Sequence, residues 1–212
     1  TLPLRDHLSA FEEVTGRWAY EFQTERRSIS RAAYVRENWT GRSSHHMNPT
    51  LTLLEKATST THGDALGVHL GWSGNHQLRI ESLADGRRML QAGELLRPGE
   101  IALAPGAHYT SPSLYLCHSS AGQNGLTRQW HQMIRREFIA SQNPVSTRRP
   151  VQLNTWEALY FGVDEPSVLA LMDQAATLGI ERVVLDAGWF LGRADDQRAL
   201  GDWEVDPQKF PN

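Results

Sequence analysis

Residues 181–190, "ERVVLDAGWF", decide how the chain is read. A charged pair gives way to Val183, Val184 and Leu185, followed by Asp186, two small residues and two aromatics. An unbroken Val/Leu run is what a strand buried on both faces of a parallel sheet looks like, because helices cover both sides of such sheets. Parallel sheets, and (β/α)8 barrels above all, keep their active-site groups on the loops behind the carboxyl ends of the strands. Asp186 stands at such an end and is therefore a candidate site residue. A carboxylate there also serves as the cap of a turn or of the next helix, and the ten residues leave both readings open.

The residues just upstream complete a unit. "VQLNTW" reads as a short strand, and a helix is expected from about Pro166 to Gly179, with proline in its first turn and glycine at its C-terminal cap. Val168, Leu169, Met172, Ala175, Ala176 and Leu178 make its apolar stripe. Strand, helix and strand over about 35 residues form one βαβ unit with a right-handed crossover. Asn154, Thr155, Trp156 and Glu157 then end the first strand and Asp186 ends the second. Neighbouring strands lie about 4.8 Å apart, so these residues face one rim. Two strands cannot close a barrel, and the others are expected beyond Asn212.

Before residue 145 the composition is different. "RWAYEFQT", "GDALGVHLGW", "HQLRIESL", "GRRMLQAGE" and "SPSLYLCHSS" have period-two character and are separated by turn signals, which argues for an antiparallel sandwich. Within "GWSGNH", Gly74 and Asn75 are expected to supply positive φ for a turn between strands. A helix follows from about Asn124 to Phe138, with Leu126, Trp130, Met133, Ile134 and Phe138 on one face, and "SQNPVSTRRP" serves as a linker. The arginines of "RRSISRAAYVR" read as surface charges that pair with acids of the same sheet.

Composition excludes several classes. Of the 212 residues, 40% are hydrophobic and 21% charged, which is ordinary for a globular protein, and the formal net charge of -3 leaves no footprint for nucleic acid or an anionic membrane. No run approaches 18 consecutive apolar residues, so no transmembrane helix is expected. The single cysteine, Cys117, rules out an intrachain disulfide framework, fits a reducing compartment and reads as a buried, inert thiol. His45 and His46 are adjacent, and His62, His69 and His76 recur later, but no spacing suits zinc; neither metal nor cofactor is expected. Asp195, Asp196 and Asp206 read as solvated loop charges. A start at Thr1 and an end at "KFPN" suggest a piece of something longer.

"NTWEALYF" and "LGIERVVLDAGWFLGRADDQRALGDWEVDPQKFPN" resemble the first strand, second strand and second loop of the catalytic barrel in the α-galactosidases of glycoside hydrolase family 36. "SSHHMNP", "GWSGNHQLRIE", "RPGE" and "GQNGLTRQWHQMIRREF" are similar to the β-supersandwich domain and connecting helix that precede that barrel. The resemblance covers nearly the whole chain. It implies a fold class of antiparallel β-sandwich followed by the first βαβ unit of a (β/α)8 barrel: residues 1–121 as part of the N-terminal domain, 122–149 as helix and linker, and 150–212 as the start of the barrel. The chain would then be an internal fragment, with most of a barrel of about 250 residues still to follow.

The family's chemistry is retaining hydrolysis by two carboxyl groups about 5 Å apart. Both lie on later barrel strands in that family, one in a Lys-Trp-Asp-type motif absent here, so no catalytic residue is assigned in this chain and the chain alone is expected to be inactive. What carries over is sugar binding. Asp186 matches the first member of an Asp-Asp pair that holds the galactose 4- and 6-hydroxyls, and Trp156 matches the tryptophan that shapes the sugar pocket. Ala187 replaces the second aspartate, which removes one sugar-binding carboxylate. Trp189 and Trp203 are rim or packing aromatics. Trp72 is a candidate contact to a neighbouring subunit's site, since the resemblance implies a homo-oligomer such as a tetramer. The implied partner is an oligosaccharide with terminal α-galactose, and the implied location is cytoplasmic. A noncatalytic carbohydrate-binding or assembly sandwich, and a transglycosidase like the raffinose and stachyose synthases, remain the alternatives.

Overall fold

In the computed structural model, which describes residues 1–139 and 149–211, the alternating stretches lie in strands, except that Trp18 and Ala19 of "RWAYEFQT" form a hairpin turn between two of them. They are β1 (Leu2–Leu4), β2 (Leu8–Arg17), β3 (Tyr20–Ser28), β4 (Tyr34–Asn38), β5 (Thr50–Glu55), β6 (Ala65–Leu70), β7 (His76–Ser82), β8 (Arg88–Glu94) and β9 (Leu114–Ser119). A four-stranded sheet runs β1-β8-β7-β4 and a five-stranded sheet runs β3-β2-β5-β6-β9, with every pairing antiparallel. Leu78, Ile80 and Leu90 of the first sheet meet Phe11, Leu51, Leu53 and Val68 of the second in one core. Each such side chain contributes about 1.5–3 kcal/mol through burial. Leu8 and Phe11 both join this core although they stand three residues apart, because the β2 register shifts between Leu8 and Ala10.

β5 is buried on both faces. Its Leu54 points away from the sandwich core and packs with Ala10, Ala65, Cys117 and Leu126. Leu126 belongs to α1 (Gly122–Met133), which lays Trp130 against the same cluster. The helix starts two residues before its expected position and leaves α geometry at Ile134, continuing as a π-helical turn, Ile134–Ile139. Its start is fixed by tertiary contacts. The N–H groups of Gly122, Gln123 and Asn124 donate to the carbonyls of Gly63, Ser59 and Thr60 at 3.0, 3.1 and 2.9 Å. Gly122 has φ +69°, and a Cβ there would lie 2.6 Å from the backbone of His62 and Ser59. The wider π turn interrupts the 3.6-residue stripe, and Ile134 and Phe138 stay exposed. Cys117 is buried, and burial pushes its thiol up, which keeps it protonated and inert.

Two sequence expectations in this unit are corrected. Neither Gly74 nor Asn75 has positive φ, because β6 and β7 belong to different sheets and their connection is a crossing between layers rather than a tight hairpin. Arg36 is not a surface charge but only 6% exposed. From β4 its Nη1 donates to Glu13 of β2, in the opposite sheet, at 3.3 Å, and its Nη2 donates to the Asn48 carbonyl at 2.8 Å. The Tyr34 hydroxyl also donates to Glu13, and burial followed by that bond pushes the phenol well up. Arg26 and Arg27 do pair with acids of their own sheet, Glu12 and Glu13.

The chain divides into two compact units, Thr1–Gln142 and Asn143–Asn212. Most of the expected linker, residues 141–150, lies outside the described residues. The second unit contains β10 (Gln152–Asn154), α2 (Trp156–Leu159), α3 (Glu165–Thr177) and β11 (Arg182–Val184). β10 and β11 are parallel, with Leu153 opposite Val183 and Asn154 opposite Val184. α3 begins where the sequence says it should: Asp164 and Ser167 form a capping box, and Pro166 lies in the first turn. It ends in a Schellman motif, with Ile180 N–H on the Ala175 carbonyl and Gly179 N–H on that of Ala176, both at 3.1 Å. Its expected stripe is only partly covered. Ala175 is buried, whereas Leu169, Met172 and Leu178 are exposed, because two short strands present too little surface to cover the whole stripe.

Candidate functional site

The ends of β10 and β11 are tied together by side chains. Asn154 Nδ2 donates to Asp186 Oδ2 at 2.7 Å, while Asn154 Oδ1 accepts from Trp156 N–H at 2.7 Å. Asp186 Oδ1 accepts from Ala187 N–H at 2.7 Å, and Asp186 N–H donates to Thr155 Oγ1 at 3.0 Å. Thr155 is itself buried and donates its N–H to the Val184 carbonyl. Asp186 is therefore the cap of the short 3₁₀ turn Ala187–Trp189 and also a carboxylate at the rim. Each of its oxygens holds one protein donor and keeps lone-pair capacity for another. The Asp186 carboxylate is thus already bonded within the fold, where a residue reserved for a ligand would have few internal contacts.

Trp156 lies at the start of α2, half-buried, with its ring 5.0 Å from that of Phe161 and 5.4 Å from that of Tyr160. Tyr160 adopts φ +47°, an outlier for a bulky residue, so the surrounding contacts must hold this turn. Behind Asp186, Trp189 is half-buried against Phe190 at 4.4 Å and Trp203 at 5.9 Å. The Trp203 ring is 76% exposed in this chain and also lies 5.8 Å from that of Phe190. Trp72 belongs to the first unit, is 40% exposed, and donates its indole N–H to the Asn75 carbonyl at 3.1 Å.

Asp206 is corrected: it is 8% exposed rather than a solvated charge. Its carboxylate accepts from Gln208 N–H at 3.0 Å and Gly192 N–H at 3.2 Å, and these backbone bonds, with Lys209 acting in the same direction, hold it below the usual carboxylate range. Lys209 escaped the sequence reading. Its Nζ donates to the carbonyls of Phe161, Gly188 and Arg193 at 2.9, 2.7 and 3.0 Å. Gly188 packs closely here, since a Cβ would lie 2.5 Å from Val163 Cγ1 and 2.7 Å from the Tyr160 carbonyl oxygen. The guanidinium of Arg193 stands 5.3 Å over the Phe161 ring. Among the described residues no group of histidines, cysteines or acids could hold a metal ion, and no helix is long and apolar enough to cross a membrane.

An antiparallel sandwich followed by a βαβ unit whose polar groups gather at the strand ends defines the class: a sandwich joined to the start of a (β/α)8 barrel. Comparison with known proteins agrees. The family model "Glycosyl hydrolase family 36 N-terminal domain" matches residues 1–104, and the "Melibiase" model matches residues 108–212. An α-galactosidase of Escherichia coli is 44% identical over 212 residues, which is 100% of this chain and 30% of that protein. The crystal structure of the α-galactosidase AgaA from Geobacillus stearothermophilus superimposes with a TM-score of 0.81 at 33% identity, covering 97% of this chain and 29% of that one. A variant of AgaA in complex with stachyose gives a TM-score of 0.83 at 32% identity, covering 100% of this chain and 29% of that one. The chain belongs to glycoside hydrolase family 36, and it spans about 30% of the length of the curated relatives it matches.

Proposed function

We propose that this chain supplies the sandwich and the sugar-binding opening of the barrel in a retaining α-galactosidase that removes terminal α-galactose from galacto-oligosaccharides. The observation that carries the reading is the Asn154–Asp186 bond, which holds a carboxylate at a barrel-strand end beside the Trp156 segment. Raffinose and stachyose bound to related enzymes support the substrate class. The proposed division is 1–121 for the sandwich, 122–149 for helix and linker, and 150–212 for the barrel start.

Asp186 accepts hydrogen bonds from galactose hydroxyls through the lone pairs not used by Asn154 and Ala187. Hydrogen bonds to a charged acceptor contribute about 1.5–3 kcal/mol each. Trp156 offers an apolar indole face to the C–H face of the pyranose, and Trp189 and Trp203 extend the aromatic rim. The nucleophile and general acid, about 5 Å apart in a retaining enzyme, are assigned outside this chain. Trp72 is proposed as a contact to a neighbouring subunit in a homo-oligomer, and the protein is proposed to be cytoplasmic.

The test uses an enzyme of the relatives' length that carries this chain. It should hydrolyse an aryl α-galactoside, and proton NMR of the first-formed sugar should show the α-anomer. An inverted product overturns the mechanism. The 212-residue chain alone should show no turnover; measurable hydrolysis by it would place the reacting carboxyls within these residues.

A further inference from the structure

Lys209 is one of only two lysines in a chain that otherwise uses arginine for its cations. Its Nζ fills all three of its donor positions with backbone carbonyls drawn from three separate segments: Phe161 behind β10, Gly188 behind β11, and Arg193 in the following loop. Three converging carbonyls suit the compact, tripodal ammonium; a guanidinium, with its donors in one planar fork, cannot meet them.

Two of these segments carry the proposed sugar contacts. Phe161 packs edge-on to Trp156 at 5.0 Å, and Gly188 lies in the turn that Asp186 caps through Ala187 N–H. The main chain of Lys209 strengthens the tie, with its carbonyl accepting from Glu165 N–H at 2.8 Å and its N–H donating to the Asp206 carbonyl at 3.1 Å. From this geometry we infer that Lys209 is a positioning residue: it locks the turns behind the two strand ends to each other, so that Asp186 and Trp156 present one fixed geometry to the sugar. The inference rests on the galactose-binding reading of those two residues. A misplacement of about 1 Å in a site can cost about 100-fold, which is the size of effect this role implies.

The experiment is a double-mutant cycle on kcat/KM for an aryl α-galactoside, in the enzyme of the relatives' length, with Lys56→Met at an exposed lysine as control. Lys209→Met should lower kcat/KM by about 10 to 100-fold in the otherwise unchanged enzyme. In the Asp186→Ala background the same change should cost less than about threefold, because residues acting as one unit are not additive. Lys209→Arg should fail to rescue. An equal loss in both backgrounds, or activity within about twofold of wild type, overturns the inference while leaving the sugar site standing. If Lys209→Met does not fold, Lys209→Gln takes its place in the cycle; if neither folds, Lys209 is a structural staple and the inference fails. If Asp186→Ala alone has no effect, the strand-end reading itself is wrong, and this inference falls with it.

Discussion

At Asp186 the two readings of a strand-end acid turn out to be compatible. The carboxylate caps its own turn and bonds Asn154, so Asp186→Ala should cost about 1 kcal/mol of stability from the lost cap. That cap is a property of the next residue's backbone, which the sequence shows, but the Asn154 bond joins residues 32 apart and needed the fold. Lys209 was missed for the same reason, since all its partners are distant carbonyls that any residue type provides. Gly188→Ala places a methyl group against Val163 and the Tyr160 carbonyl, and overpacking of this kind costs about 1–3 kcal/mol. Thermal unfolding will show the loss, and an unchanged Tm would mean the two turns are free to separate. Trp203→Ala should alter the stability of this chain by less than about 0.5 kcal/mol, because the ring is 76% exposed in it, and in the enzyme of the relatives' length it should raise KM for an oligosaccharide. A large stability loss with unchanged KM would make it a packing residue.

Among the elements, those defined by local chemistry were readable and those defined by distant partners were not. α3 was placed within a few residues because Asp164, Ser167, Pro166 and Gly179 encode its ends locally. α1 was placed too late, since the loop at residues 59–63 caps it, and too long, since the π turn interrupts its stripe. The polar tie between β2 and β4 was unreadable for the same reason: Arg36 sits in a polar, arginine-rich stretch, and only the packing of the two sheets buries it against Glu13. Glu13→Ala should cost about 3–5 kcal/mol by stranding that buried charge. Replacing Glu13, Arg36 and Tyr34 together by Leu, Met and Phe should be near neutral. Urea unfolding distinguishes the cases, and a small loss for Glu13→Ala would show that water reaches the pair.

Over the whole molecule, the switch from period-two strands to a βαβ pattern read correctly, because sheets and crossovers impose periods that any stretch of sequence must obey. The first unit should also lose stability as the pH falls. Burial lowers the pKa of His69, which lies among Tyr115 and Trp130, from its ordinary value of about 6.5. The unfolded chain therefore takes up more protons than the folded one as pH falls through about 6.5, so the contribution is present above that value and is lost below it. Urea midpoints measured from about pH 8 to pH 5 should fall, and His69→Phe should flatten the profile; equal slopes would assign the dependence to other groups.

Asp186 is proposed to hold the sugar in an α-galactosidase. The most direct measurement is kcat/KM for an aryl α-galactoside with and without Asp186→Ala, in the enzyme of the relatives' length and well below its melting temperature. Loss of one or two hydrogen bonds to a charged acceptor predicts a fall of about 10 to 10⁴-fold, far more than a lost cap can produce in a folded protein. A kcat/KM within about twofold of wild type, with a lowered Tm, would make Asp186 a cap alone and contradict the site.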